Sequence, residues 1–396
     1  MRNSVLGLVY TNAHDVLTVA TNGYSKFFYE LGYAAETIDL TLDGSSQVLA
    51  ERLDSGEVAF CFGMQGVGAQ LMRAGTNLWT SSKTPFVALH YDNPCYQPAN
   101  HSAGSPYVGN LYHFESFLEI QNCYIGGNQP SAVLPFDIMY VPPETRIPFA
   151  TRPIRLLFLK AGETVDEVSA YIDGLPFVAR EAVWALIDFA RQNPNLLICD
   201  LVDRLLTQLG MDRREHAKDF WTLVRAMDTY IRRERAIEFV NWLKFQEGAV
   251  VVGNGWDFID RAGAQANFRP AVPALEAFPL YEQAQFICNV TPYGRDIIHE
   301  RVVQGLMAGS CVITDDNAWW ARHGAELPAL TRFRWDQPLD DQLQRLIADK
   351  DKAAEASLTG RAFALHHFSN HNVTRRIAAF AEQVRANAAR GAAMSA

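Results

Sequence analysis

Short apolar, β-rich runs recur near the start of the chain, at residues 5–10, 35–40, 58–62 and 85–91. Stretches with helical spacing separate them. One runs from Leu17 to Leu31 and is closed by Gly32; another can be capped by Ser45 and ends near Gly56. Strands joined through helices cannot pair as tight hairpins. They predict a parallel, doubly wound α/β sheet with helices on its faces. Any assignment for this chain has to accommodate that rhythm.

The rhythm breaks once and then restarts. Between Asp92 and Pro148, Pro, Gly and Asn are frequent, and only short runs such as 132–136 suggest further strands. Pro142-Pro143 and residues 148–153 read as a linker. A second α/β unit opens at Ile154-Arg155-Leu156-Leu157-Phe158-Leu159-Lys160. At 396 residues the prior is two to three domains, and the pattern favours two. These are residues 1–150 and 151–365, followed by a helical tail at 366–396. A helical insertion at about 164–246 carries a long helix starting near Asp212, with Phe220, Leu223, Val224, Met227, Tyr230, Ile231, Ile237, Val240 and Leu243 on one face. Strand patterns return at 249–252, 286–290 and 311–314. Two such units predict a cleft at their junction, with ligands bound beyond the carboxyl ends of the strands.

Composition narrows the function. Lys and Arg number 35 against 44 Asp and Glu, a net charge of −9, which argues against a general nucleic-acid binder. Six cysteines show no CxxC spacing, so neither a zinc ribbon nor a redox pair is indicated. Most lie in apolar runs, as buried free thiols of a reducing compartment would. No run approaches the roughly 20 apolar residues of a membrane span, and the first residues lack a signal-peptide core. A cytoplasmic protein without a transmembrane segment is expected.

The most informative stretch is NVTPYGRDIIHERVVQGLMAGSCVITDDN, residues 289–317. It reads as strand end, polar loop, helix, strand and acidic loop. Asn289 closes the strand. Gly294, Arg295 and Asp296 lie in the loop. His299, Glu300 and Arg301 fall in the first turn of a helix at about 298–308. Backbone N–H groups there, together with Arg295 and Arg301, would suit a diphosphate. Gly253-Asn254-Gly255-Trp256 follows a strand and permits close backbone approach, with Trp256 either stacking on a base or filling a core behind a tight turn. Lys160 ends the first strand of the second unit and could meet a phosphate. Arg232 with Arg235 shares a helix face that could do the same. In the first unit, His14 and Asp15 follow one strand and His90 and Asp92 another; these are the candidates for a general base. Gly63–Gly68 follows a strand without a complete dinucleotide fingerprint; it reads as a strand-to-helix turn.

HERVVQGLMAGSCVITDD resembles the donor-site segment of GT-B glycosyltransferases, especially the CgeB-like group. DTYIRRER at 228–235 and VVVGNGWD at 250–257 follow the same order, so the resemblance covers roughly residues 150 to 370. It implies two Rossmann-like domains facing a cleft, the second holding a nucleotide-sugar donor and the first an acceptor. It implies sugar transfer, retaining and without metal or other cofactor. Many retaining members carry two glutamates separated by seven residues in this place. Asp296 and Gln304 occupy those positions here, and Glu300, one turn before Gln304, could share the role. The rival readings are a nucleotide-sugar epimerase or phosphorylase of the same fold, and a binding protein that has kept the fold without catalysis.

Overall fold

A computed structural model of the chain describes residues 3–11, 16–135, 147–324, 327, 329–368 and 370–395. Its contacts form two compact units, Met1–Met139 together with Ser369–Ala396, and Tyr140–Phe368.

The first unit runs β1 (Ser4–Val9), α1 (Val16–Glu30), β2 (Ala34–Asp39), α2 (Ser45–Asp54) and β3 (Val58–Met64). A small antiparallel hairpin of β4 (Met72–Arg73) and β5 (Thr76–Asn77) precedes α3 (Leu78–Ser82), then β6 (Phe86–His90), β7 (Val108–Tyr112), α4 (Glu115–Ile120) and β8 (Ser131–Val133). The main sheet has the order β2-β1-β3-β6-β7-β8, with every pairing parallel. Side chains alternate across it, as the two-residue period of a strand requires. Val5, Phe60, Phe62, Val87 and Leu89 pack with Tyr24 and Phe28 of α1 on one face. Leu6, Leu8, Cys61, Phe86 and Ala88 pack with Leu49 and Leu53 of α2 and Trp79 of α3 on the other. Both faces are covered, which is why these strands read as continuous apolar runs.

The second unit begins with β9 (Ile154–Leu159). Four helices follow before the next strand: α5 (Asp166–Asp173), α6 (Phe177–Gln192), α7 (Ile198–Gln208) and α8 (Ala217–Leu243). Next come β10 (Ala249–Val252), β11 (Asn267–Arg269), α9 (Ala274–Gln283), β12 (Ala284–Cys288), α10 (Glu300–Met307), β13 (Cys311–Asp315), α11 (Ala318–His323), β14 (Leu330–Phe333), α12 (Leu339–Ile347) and α13 (Lys350–His367). The sheet order is β11-β10-β9-β12-β13-β14, again all parallel. The long helix α8 lies on this sheet through Phe239, whose ring meets Phe158 of β9 at 5.4 Å and Phe333 of β14 at 5.6 Å.

The last helix, α14 (Asn370–Ser395), belongs to the first unit. Val373, Ile377, Phe380, Ala381 and Val384, spaced at helical intervals, complete one face of that unit's core. Gly109 in β7 makes room for it, since a Cβ there would lie 2.5 Å from Val384 and 2.6 Å from Phe380. A boundary near 150 and a separate tail at 366–396 are therefore not how the contacts divide the chain. Nor is 148–153 a loose linker. Phe149 is buried, and the Arg152 guanidinium donates to the carbonyl oxygens of Ala284 (2.8 Å) and Ala308 (2.9 Å) and to Ser310 Oγ (2.9 Å), which ties this stretch into the second unit. Residues 65–70 form turns rather than opening a helix; a Cβ on Gly63 would lie 2.1 Å from the Val67 carbonyl oxygen, so the chain folds tightly back on itself.

Candidate functional site

In the second unit, chain order runs outward from β9 through β10 to β11 on one side and from β12 through β13 to β14 on the other. The order reverses between β9 and β12. Helices must then lie on opposite faces at this point, and the diverging loops leave a crevice at the carboxyl ends of the two strands. Lys160 stands just past β9 and Asn289 just past β12.

Arg301, in the first turn of α10, bridges these two strand ends. Its Nε donates to Asn289 Oδ1 (3.1 Å) and its Nη1 to the carbonyl oxygen of Leu159 (3.2 Å). Asn289 is held in turn, its Nδ2 donating to Thr291 Oγ1 (3.1 Å) and Thr314 Oγ1 (3.0 Å). Arg301 is only 8% exposed, yet its guanidinium keeps its charge, because arginine does not lose its proton in proteins. His299 caps α10: its Nδ1 accepts from the Arg301 backbone N–H (3.2 Å), which leaves the ring proton on Nε2. Burial first, then the positive charges of Arg301, Lys160 and Arg232, holds the His299 pKa well below its usual value, so the ring is neutral. Lys160 has the same neighbours. Burial, followed by Arg301 and Arg232, pushes its pKa down to about 7, against a smaller opposing pull from Glu163 and Asp228. Three basic side chains and one neutral imidazole donor thus converge at the reversal point, and their mutual repulsion favours an anionic ligand.

The backbone around them is tightly stitched. Lys160 N–H donates to the Val252 carbonyl (3.0 Å), Gly162 N–H to that of Asn254 (2.8 Å), and Gly253 N–H to that of Arg269 (3.0 Å). Gly253 (φ +155°) and Gly255 (φ +84°) allow this approach; a Cβ on Gly253 would lie 2.1 Å from the Lys160 carbonyl oxygen. Trp256 donates its Nε1–H to that same oxygen (2.7 Å). It is 2% exposed and packs beside Phe158 and Phe258. No nucleotide base can stack on a ring so enclosed, and the core reading of Trp256 holds. Asn254 is exposed, its Oδ1 accepting from Ala271 N–H (2.9 Å).

Beyond β13 lies a second polar layer. Asp315, 5% exposed, accepts from Thr291 N–H (2.8 Å) and Trp335 Nε1–H (3.1 Å). Arg235 of α8 is buried between Tyr293 and Trp335, its guanidinium 5.5 Å and 5.2 Å from the two ring centres. It therefore braces the loop from within. Arg232, one turn earlier, acts electrostatically on Lys160, His299 and Arg301.

The other predicted residues fall around this frame. Gly294, Arg295 and Asp296 lie in the loop before α10; Asp296 is buried and Arg295 partly exposed. Glu300 opens α10, partly exposed, and Gln304 is buried one turn on. Gly305 packs flat on the sheet, where a Cβ would meet Ile287 at 2.8 Å. In the first unit Asp92 is exposed, with its N–H donating to Gln65 Oε1 (3.4 Å). His90 is fully buried in a stack with His101 and Tyr112, and burial pushes its pKa down to about 4. His14 and Asp15 lie outside the described residues. Tyr293, Asp315 and Trp335 were not anticipated, because their partners come from distant segments. Among the described residues no group of three His, Cys, Asp or Glu side chains could hold a metal ion.

Residues 232–381 match a family described as glycosyl transferase-like. No curated protein matches the chain. Among solved structures, an alpha-glucosyltransferase in complex with UDP-glucose and DNA containing an abasic site superposes with a TM-score of 0.53 at 9% identity, over 96% of this chain and 99% of that one. AviGT4, a glycosyltransferase involved in avilamycin A biosynthesis, gives 0.52 at 13% identity over 97% and 98%. HepE from Anabaena in complex with UDP-glucose gives 0.52 at 13% over 96% and 99%. At such identities the likeness shows the fold, and that fold is the GT-B arrangement of two Rossmann-like sheets.

Proposed function

We propose that the chain transfers a sugar from a nucleotide-sugar donor, with the donor diphosphate held at the reversal point of the second unit. The observation that carries this reading is the convergence of Lys160, Arg232, Arg301 and His299 beyond β9 and β12. As the bond to the sugar breaks, negative charge builds on the leaving diphosphate. Fixed positive groups and an imidazole N–H aimed at that charge stabilise the transition state more than the ground state. The match to a glycosyl transferase-like family over residues 232–381 supports the assignment. Two similar structures hold UDP-glucose, so uridine diphosphate is the first nucleotide to test.

Within this reading Arg295 and the Gly294 backbone flank the diphosphate, and the Gly253–Asn254 turn lies toward the base. Gln304 offers its amide to the ribose hydroxyls. Asp296 and Glu300 face the transferred sugar. Three cations supply charge that a divalent ion would otherwise provide, so transfer is read as metal-independent. The resemblance to the CgeB-like group favours retention of configuration, in which the leaving phosphate itself takes the acceptor proton and no separate base is needed.

Titration with nucleoside diphosphates tests the donor site: UDP or a close relative raises the melting temperature by mass action, and Arg301→Ala removes that rise. No shift with any nucleoside diphosphate would refute the reading. Turnover is then followed as release of nucleotide with an acceptor panel, with and without EDTA. Reversible loss of transfer in EDTA would remove the metal-independent part. A new sugar isomer from donor alone would make the protein an epimerase.

A further inference from the structure

A cleft of about 360 Å³ opens in the second unit between the turn joining α6 to α7 and the segments that follow β13 and β14. Its size is within the roughly 300–1,000 Å³ of small-ligand sites. Gln192, Asn193, Asn195, Asp316, Arg334 and Trp335 line it. It is separate from the cations at Lys160 and Arg301, none of which reaches its walls.

The charges in it are already compensated. Asp316 pairs with Arg332 (3.0 Å) and Arg334 with Asp336 (2.9 Å). What remains is a set of planar amides. Gln192 and Asn195 are exposed, and their side chains make no hydrogen bond among the described residues. Each offers an acceptor oxygen and an NH₂ donor side by side. Trp335 supplies an aromatic surface held in place by its Nε1–H bond to Asp315, by the edge of Phe333 (5.1 Å) and by the Arg235 guanidinium. Uncharged amides beside a fixed indole match a pyranose, whose hydroxyls need paired donors and acceptors and whose C–H face packs on aromatic carbon. They do not match a phosphate.

Both walls of the cleft are bonded to the loop that carries Asp296. Tyr293 Oη donates to the Asn193 carbonyl (3.0 Å), Asn317 Nδ2 to that of Ile297 (2.7 Å), and Ala318 N–H to that of Arg295 (2.8 Å). We infer that this cleft is a saccharide subsite, binding a neutral sugar unit through Gln192, Asn195 and Trp335 beside the donor loop. The preference for a neutral sugar rests on the cleft alone; only the part that sugar plays in a transfer reaction rests on the glycosyltransferase reading.

Saturation-transfer NMR with methyl glycosides of glucose, galactose, mannose and N-acetylglucosamine, and with their disaccharides, tests it beside a parallel titration with UDP. At least one glycoside binds saturably, Gln192→Ala/Asn195→Ala weakens it by about tenfold or more, and UDP affinity is unchanged. Both substitutions are on exposed side chains, so the fold is retained. No saturable glycoside binding, or binding indifferent to the double substitution, overturns the subsite. Loss of UDP affinity in the double variant overturns it too, by making the cleft part of the nucleotide site. Glycoside binding that follows the expected pattern without any UDP binding upholds the cleft and removes the transferase reading instead.

Discussion

Lys160 is the residue on which the electrochemistry of the site turns. Its pKa of about 7 lies below the 10.5 of a free lysine, so the native state binds fewer protons than the unfolded chain between those values. Stability should therefore rise with pH from about 7 to 10.5, the penalty being fully present below 7. A diphosphate reverses the balance by favouring the charged amine. Binding of UDP at pH 8 should be accompanied by uptake of close to one proton, measured by calorimetry in buffers of different ionisation enthalpy, and Lys160→Met should abolish that uptake. Arg301→Lys tests geometry apart from charge. A lysine cannot span Asn289 and Leu159 together. The variant should weaken UDP by tenfold or more and, by leaving the buried Asn289 oxygen unsatisfied, lose about 1–3 kcal/mol in urea unfolding. Arg301 and His299 could be read from sequence because one short segment carries strand end, loop and helix start. Asp315 and Trp335 could not, since an acidic pair after a strand looks the same whether it is solvated or holds a distant indole.

Among elements, the Gly253–Gly255 turn shows how backbone sets side-chain position. An alanine at Gly253 would place a Cβ 2.1 Å from the Lys160 carbonyl at a φ few L-residues adopt. Gly253→Ala should cost about 1–3 kcal/mol and shift Lys160, lowering UDP affinity more than tenfold. Wild-type affinity would detach this turn from the site. The turn was readable because glycine after an apolar strand has few other uses. Helix α8 was readable by its period, although it starts at Ala217 rather than near Asp212. Strand β7 was not. Its Gly109 is required by α14, and its Asn110 bonds to His90 Nε2 (3.1 Å) and the His101 carbonyl (3.1 Å), so two of its five residues answer to contacts that blur the apolar signal. Strands β11 and β14, of three and four residues, are too short for a period to emerge.

Across the whole molecule, the α/β alternation and the count of two units were legible, because strand–helix rhythm is local. The placement of α14 was not, because an amphipathic helix announces that a face will be covered without saying by which sheet. Phe380 tests that placement. Phe380→Ala should destabilise the first unit by about 3–5 kcal/mol. Because unfolding of two units need not be one transition, an early step should appear in the melting curve while UDP still protects the later one. A single unshifted transition would contradict it.

The membership of α14 also bears on how the protein is made. Residues 140–368 are a complete unit inserted within another, so the ribosome delivers the inner unit whole before the outer one can close. At ~5–20 residues per second, the part of the sheet face that α1 leaves to α14, around Gly109, waits for its cover for roughly 10–50 s after β8 emerges. During that interval one face of a parallel sheet is only half covered, and a holding chaperone on the nascent chain would have its clearest target there.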